Sequence, residues 1–418
     1  KNMTNNFTPI KTTERIQLLD ALRGLAIFGI LMVNMPLMYA PISKILAGAE
    51  ENLSTPGIIG ESLIKLFFEG KFYVLFSMLF GYGFYIFMQK STPEKSILPT
   101  FTRRLFFLLL FGLTHVVLLW AGDILVFYAL FGFLLILFRN SSNKKIIGWS
   151  IAFISIPSLL SIFGVVMMAI FIAVPQAQES IQASNEQSAE TMKSLIEQAY
   201  QVYSSGSFAE IISIRLKEYL ALLPGLFFFY PVVMGMFLLG FYAARRQLIA
   251  QYREHLALFR RMFRWTLPIG LLTSLFYAFS YYKTDYSMPD AWSALSTVGH
   301  TLSGILLALA YVSGMVLLFA KGKMNFLFKW LSPVGQMALT NYIMHSVITA
   351  ILFHSYGFGL FGKISVWEGI GLTVVIFSAQ IPLSKWWLSK FLYGPLEWLW
   401  RSLTYLKIQP FKRSKNIA

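Results

Sequence analysis

The chain contains no cysteine. That absence excludes disulfides, thiolate metal sites and a cysteine nucleophile, and leaves the redox compartment open. Charge is also scarce. Only 13% of the 418 residues are Asp, Glu, Lys or Arg, about half the usual share of a soluble domain. Histidine occurs five times, without metal-ligand spacing, and no metal is expected. There is no phosphate-binding glycine loop ending in Lys-Ser/Thr and no His-Glu-x-x-His. What fills the chain is apolar: 56% of residues are hydrophobic, 17% aromatic, and mean hydropathy is +0.61. A globule of this size cannot cover itself with so little polar surface. The sequence therefore predicts an all-α, polytopic membrane protein forming one integral membrane domain.

A spanning helix needs about 20 apolar residues. About ten stretches qualify, at 18–39, 62–88, 102–120, 123–138, 146–174, 220–243, 265–283, 293–320, 333–354 and 366–388. With both termini cytoplasmic, the inside segments carry 27 of the 35 Lys/Arg and 5 of the 19 Asp/Glu, a net +22 against −6 outside. This agrees with the positive-inside rule and accounts for the overall charge of +16 by topology, with no nucleic-acid partner. The first 17 residues are polar, and no cleavable targeting segment is expected there. A polar stretch at about 175–215 reads as a partly helical outer segment. Residues 393–405, rich in Trp and basic residues, read as a helix in the inner interface, with Glu397 and Arg401 spaced as an i,i+4 pair.

Ionisable groups at membrane depth are costly and mark functional candidates. Asp20 and Arg23 share a face at the inner end of the first span, and Asn34 lies eleven residues on, about 16 Å deeper on that face. Arg103 and Arg104 open the third span. Paired guanidiniums suit phosphate, although anchoring at the inner surface explains them equally. His115 and Asp123 flank a tight turn that brings an imidazole toward a carboxylate, the arrangement of a general base. Their structural alternatives are an interhelical hydrogen bond and an N-cap. Asn341, Tyr342 and His345 lie on a polar stripe in the ninth span, flanked by Thr340 and Ser346. Glu69 and Lys71 lie near Gly70 in the second span, where internal pairing is the simpler explanation.

Four segments, Arg15–Asn34, Arg103–Gly132, Pro333–Ser346 and Tyr393–Arg401, resemble the YeiB-like family of bacterial membrane proteins (domain of unknown function 418). The run His115 to Tyr128, with Leu339-Thr340-Asn341-Tyr342 and Gly394-Pro395-Leu396-Glu397-Trp398, carries most of that likeness. A wider likeness joins Asp20-x-x-Arg23-Gly24 and Asn34 to the first helix of heparan-α-glucosaminide N-acetyltransferase-like proteins. Family-3 membrane acyltransferases are similar too, with His in place of Asn34. The resemblance implies a bacterial cell-membrane enzyme that passes an acyl group, in the first instance acetyl, from cytoplasmic acyl-CoA to an outer hydroxyl or amine. Such an acceptor is an envelope glycan or lipid-linked sugar. A homodimer among membrane lipids is also implied. On this reading Arg23, Arg103 and Arg104 bind the phosphates, and Asn34 lines the path of the pantetheine arm. His115 and Asp123 are catalytic, and Asp20, Asn341, Tyr342 and His345 border the cavity. The loop 35–60 lacks the histidine of the lysosomal acetyltransferase, so His115 is the substitute. A transporter or lipid-handling protein, or a scaffold whose outer segment binds a partner, fits the same span pattern.

Overall fold

The computed structural model describes residues 16–48, 54–92, 96–284 and 288–413. Sixteen α-helices form among them. From the N-terminus these are α1 (Gln17–Met38), α2 (Lys44–Ala47), α3 (Thr55–Phe67), α4 (Lys71–Met88), α5 (Leu98–Leu118) and α6 (Leu125–Leu135). Then follow α7 (Asn143–Ile172), α8 (Pro175–Ser205), α9 (Phe208–Phe229), α10 (Pro231–Arg245) and α11 (Leu256–Tyr281). The last are α12 (Ala291–Ala320), α13 (Asn325–Gln336), α14 (Ala338–Phe353), α15 (Val366–Lys390) and α16 (Pro395–Tyr405). No β-strand occurs among the described residues, only an isolated bridge between Phe391 and Lys412. The chain is an all-α membrane protein.

Five helices, α1, α5, α7, α12 and α15, are long and apolar enough to cross a bilayer. The bent pairs α9–α10 and α13–α14, broken by 66° and 79°, raise the number to seven if each makes one crossing. The remaining expected spans are shorter, broken or more charged. Residues 62–88 divide at Gly70 into α3 and α4, residues 123–138 form the short α6 and a 3-10 turn, and α11 carries Arg260, Arg261 and Arg264 in its first half. The outer segment expected at 175–215 is α8 together with the first third of α9, so the shift from polar to apolar composition falls inside a helix.

Lipid is as apolar as a leucine side chain, so helices associate in a membrane through close backbone contact at small residues. Among the five long apolar helices α1 is the most buried, with Leu18, Leu22, Ala26, Ile27 and Leu31 wholly buried. It crosses α13 where Gly24 faces the Leu331 carbonyl and Gly335 faces that of Asp20; a Cβ would stand 2.2 and 1.8 Å from those oxygens. By contrast α7 shows Ile151, Leu159, Phe163 and Ile170 on its outside, as a lipid-facing helix should. On the outer side, Glu218 of α9 accepts hydrogen bonds from Ser43 Oγ (2.8 Å) and Tyr203 Oη (2.8 Å), and wholly buried Arg215 donates to the Val117 carbonyl at 2.7 Å. These bonds tie α8 and α9 to the loop after α1 and to the end of α5.

Candidate functional site

A cavity of about 790 Å³ opens among the helix ends that the charge pattern assigns to the outer side. It touches α1 at Ile30, Val33, Asn34 and Leu37, and its lining includes Trp120, Asp123 and Tyr342 as well as Glu69, Tyr277 and His300. Leu222, Gly225 and Leu226 of α9 also line it.

The tight turn between α5 and α6 brings His115 and Asp123 together. His115 Nδ1 and Asp123 Oδ2 lie 2.8 Å apart, while Asp123 Oδ1 accepts from the Val126 backbone N–H at 2.8 Å. The carboxylate thus caps α6 and orients the imidazole at once. Gly112 is required beside it, because a Cβ there would stand 2.9 Å from Asp123 Oδ1. His115 Nε2 lies 2.8 Å from Ser346 Oγ. Assigning the Nδ1 proton toward the carboxylate leaves Nε2 to accept the serine proton. Asp123, His115 and Ser346 therefore form a hydrogen-bonded carboxylate–imidazole–hydroxyl chain, the order of a hydrolase triad. All three are 1% exposed. Tyr342, which lines the cavity as Asp123 does, has its ring 5.3 Å from the imidazole. Among the described residues the buried Tyr342 hydroxyl has no hydrogen-bond partner. In sequence Ser346 was legible only as a flank of the polar stripe; that it shares a face with Tyr342, one turn away, was the available signal.

The rest of that stripe turns elsewhere. His345 Nε2 meets Gln380 Oε1 at 2.9 Å, and Asn341 Nδ2 donates to the Val334 carbonyl and to Ser384 Oγ, each at 3.1 Å. Both side chains join α14 to α15 and neither lines the cavity, so the expected cavity role passes to Tyr342 alone.

At the inner end, Arg23 NH1 bonds Asp20 Oδ1 at 2.7 Å and the Arg23 side chain stays 30% exposed. It lies seven residues below Ile30, about 10 Å along the helix, outside the cavity lining. Arg103 Nε donates to the Thr404 carbonyl (3.1 Å), and Arg104 lies over the Trp400 ring at 3.6 Å. The interfacial helix α16 thus holds both.

The expected Glu397–Arg401 pair is replaced by other contacts. Arg401 lies over the Tyr393 ring at 4.7 Å. Glu397 Oε1 accepts from the N–H groups of Leu339 (2.7 Å) and Thr340 (3.0 Å), and Oε2 from Thr340 Oγ1 (2.6 Å). A carboxylate from α16 therefore caps the first turn of α14, where the 79° break leaves N–H groups free. Burial pushes the Glu397 carboxyl above its usual range, and these hydrogen bonds oppose that. Glu397→Ala is expected to lower stability by about 2 kcal/mol, the worth of hydrogen bonds to a charged group, read as thermal unfolding in detergent. An unchanged midpoint would remove the cap from this account.

The charged groups around Gly70 are internally paired, through Lys65 rather than directly between Glu69 and Lys71. Lys65 Nζ meets Glu61 (3.1 Å) and Glu69 (3.3 Å), and Lys71 Nζ donates to the Lys65 carbonyl at 2.6 Å. His300, from α12, is the residue that spacing gave no sign of.

A helical bundle with ionisable groups buried at membrane depth and an outward cavity defines a polytopic membrane protein with an internal polar site. The chain belongs to the family described as "Protein of unknown function (DUF418)", whose profile matches residues 243–407. It is 33% identical to "Uncharacterized protein YxaH" of Bacillus subtilis (strain 168), over 99% of this chain and 100% of that protein. It is 30% identical to "Uncharacterized protein YeiB" of Escherichia coli (strain K12), over 94% of this chain and 96% of the other. No solved structure matches it.

Proposed function

We propose that this protein is a bacterial cell-membrane acyltransferase that moves an acyl group, in the first instance acetyl, from cytoplasmic acyl-CoA to an acceptor reaching the cavity from outside. The observation that carries this reading is the Asp123–His115–Ser346 chain beside a cavity bordered by Asp123 and Tyr342, because an imidazole oriented by a carboxylate is the general base that acyl transfer needs. The donor phosphates bind at Arg23, with Arg103 and Arg104 alongside, and the pantetheine arm follows α1 toward Asn34. The acceptor loses a proton through the Ser346 hydroxyl to His115 Nε2 as its lone pair attacks the thioester carbonyl; the C–S bond breaks, and the electron pair leaves on sulfur, which takes up a proton. The Tyr342 hydroxyl, without a hydrogen-bond partner among the described residues, donates to the developing oxyanion, as does Asn34. Asn341, whose amide is already committed to Val334 and Ser384, takes no part.

The test is direct. Wild-type protein in detergent should bind labelled acetyl-CoA. Arg23→Ala should weaken binding at least tenfold, whereas His115→Gln should keep binding and lose transfer by about 10²-fold or more. No binding at millimolar acetyl-CoA would sink the reading. Transport is the second reading, favoured by one observation: the breaks at Gly70 and between α9 and α10 both border the cavity, as discontinuous helices do in transporters. Solute counterflow in liposomes without acetyl-CoA binding would establish it instead.

A further inference from the structure

The cavity carries a second titratable pair. His300 and Glu69 both line it, as do Asp123 and Tyr342. Their placement is built by backbone geometry. Gly70 breaks the helix between α3 and α4 with φ +85°, a left-handed conformation that favours glycine. A Cβ on Gly70 would stand 3.0 Å from His300 Nε2, and a Cβ on Gly304, one turn along α12 from His300, would stand 2.8 Å from the Gly70 carbonyl oxygen. The two glycines thus seat the imidazole against the helix break. Tyr73 stacks on His300 at 6.4 Å between ring centroids, and Tyr277 meets it edge-on at 5.1 Å. Tyr277 Oη also donates to Glu69 Oε1 at 2.7 Å, so one phenol orients the carboxylate and borders the imidazole. The other charged groups packed here are Lys65, Lys71 and Glu61. Both lysines are buried behind the wall, Lys65 against Glu61 and Glu69 and Lys71 on the Lys65 carbonyl. His300 is partly exposed, where His115 is 1% exposed.

We propose that His300, positioned by Glu69 and Tyr277, is a second base of the site, and that the acceptor is a primary amine. This rests on the acyltransferase reading. A hydroxyl acceptor sheds one proton on acylation, for which one base suffices. A primary amine arrives as R–NH₃⁺ and sheds two. The first proton passes to the His300 imidazole and frees the nitrogen lone pair. That lone pair attacks the thioester carbonyl, the C–S bond breaks with its electron pair on sulfur, and the second N–H proton passes to His115. The thiolate takes up one proton as it leaves, so the turnover releases one proton and the amide. His300 with Glu69 in the cavity lining, and His115 behind the lining residue Asp123, match that demand.

The experiment uses full-length protein, acetyl-CoA and two probe acceptors, butylamine and hydroxylamine, with 1-butanol as the hydroxyl control and uncatalysed rates subtracted. Butylamine is protonated at neutral pH; hydroxylamine is not, and needs no first deprotonation. Wild type should acetylate both amines and not the alcohol. His300→Gln should lose about 10²-fold on butylamine yet keep hydroxylamine transfer within about threefold, and Glu69→Gln should move the same way. An equal fall on both probes would make His300 a structural residue, no fall on either would give it no role, and transfer to 1-butanol matching butylamine would remove the amine assignment. Each overturns the proposal. Wild type that fails to bind acetyl-CoA overturns the acyltransferase reading itself.

Discussion

Asp123→Asn is expected to keep the fold and lower acyl transfer by about 10⁴-fold, as when the same exchange sets the wrong imidazole tautomer in serine hydrolases. Both carboxylate oxygens are in use: Oδ1 accepts from the Val126 N–H and Oδ2 faces His115 Nδ1. An asparagine has one acceptor and one donor. If its oxygen keeps the α6 cap, its NH₂ faces Nδ1, which must then be unprotonated. The imidazole proton moves to Nε2, and the nitrogen that faces Ser346 becomes a donor with no capacity as a base. Thermal unfolding should shift little, because the cap survives. Asp123→Ala removes cap and orienting group together. It leaves a buried imidazole and a buried N–H unpaired and should cost about 3 kcal/mol of stability. Transfer of labelled acetyl, measured beside the melting midpoint, separates the two substitutions. An asparagine variant within tenfold of wild type would remove His115 as the base.

The membrane class was legible because it depends on composition and on charge alternation, both summed over hundreds of residues. The contact between His115 and Asp123 was legible for the opposite reason: it is local, fixed by a turn too short to let the two helices part. What spacing could not show is any contact closed over a long separation. Ser346 reaches His115 across 231 positions, and Glu397 reaches Thr340 across 57. Glu397 illustrates the difficulty. Four residues from Arg401 on one helix, it satisfies the rule for a surface ion pair, worth a few tenths of a kcal/mol. Two free N–H groups and a hydroxyl at a buried helix start offer more, and they prevail. His345 and Asn341 show the same limit: a polar stripe identifies a face, while only the neighbouring helix, here α15 with Gln380 and Ser384, decides whether that face meets a cavity or another polar residue. The break in residues 62–88 was legible in part: Glu69 and Lys71 interrupt the apolar run, while the positive φ of Gly70 fixes where the stretch divides into two helices.

Gly240→Val should prevent accumulation of folded protein, or lower stability by about 3 kcal/mol where protein is recovered. Along the α4–α10 contact, a Cβ on Gly240 would stand 1.9 Å from the Met78 carbonyl oxygen, and one on Gly81 would stand 1.9 Å from that of Phe237. Met78 and Gly81 are one turn apart, as are Phe237 and Gly240, so each helix offers a glycine to the other's carbonyl. The obstructing atoms are backbone, which has no rotamer by which to yield; the helices must move apart. Separation would open the aromatic layer between them, where Phe80 stacks on Phe237 at 4.5 Å and Phe237 meets Tyr128 edge-on at 5.1 Å. Tyr128 in turn donates to the Tyr73 carbonyl at 3.2 Å, and Tyr73 borders the cavity beside His300. Extra apolar surface on the valine gains nothing in return, because lipid receives it as readily as protein does. Gly148→Ala is the control: nothing lies within 4 Å of its Cβ position, so its melting midpoint should match wild type. If Gly240→Val also melts with wild type, close glycine contact does not hold α4 to α10, and the cavity lining at Tyr73 owes its position to something other than this packing.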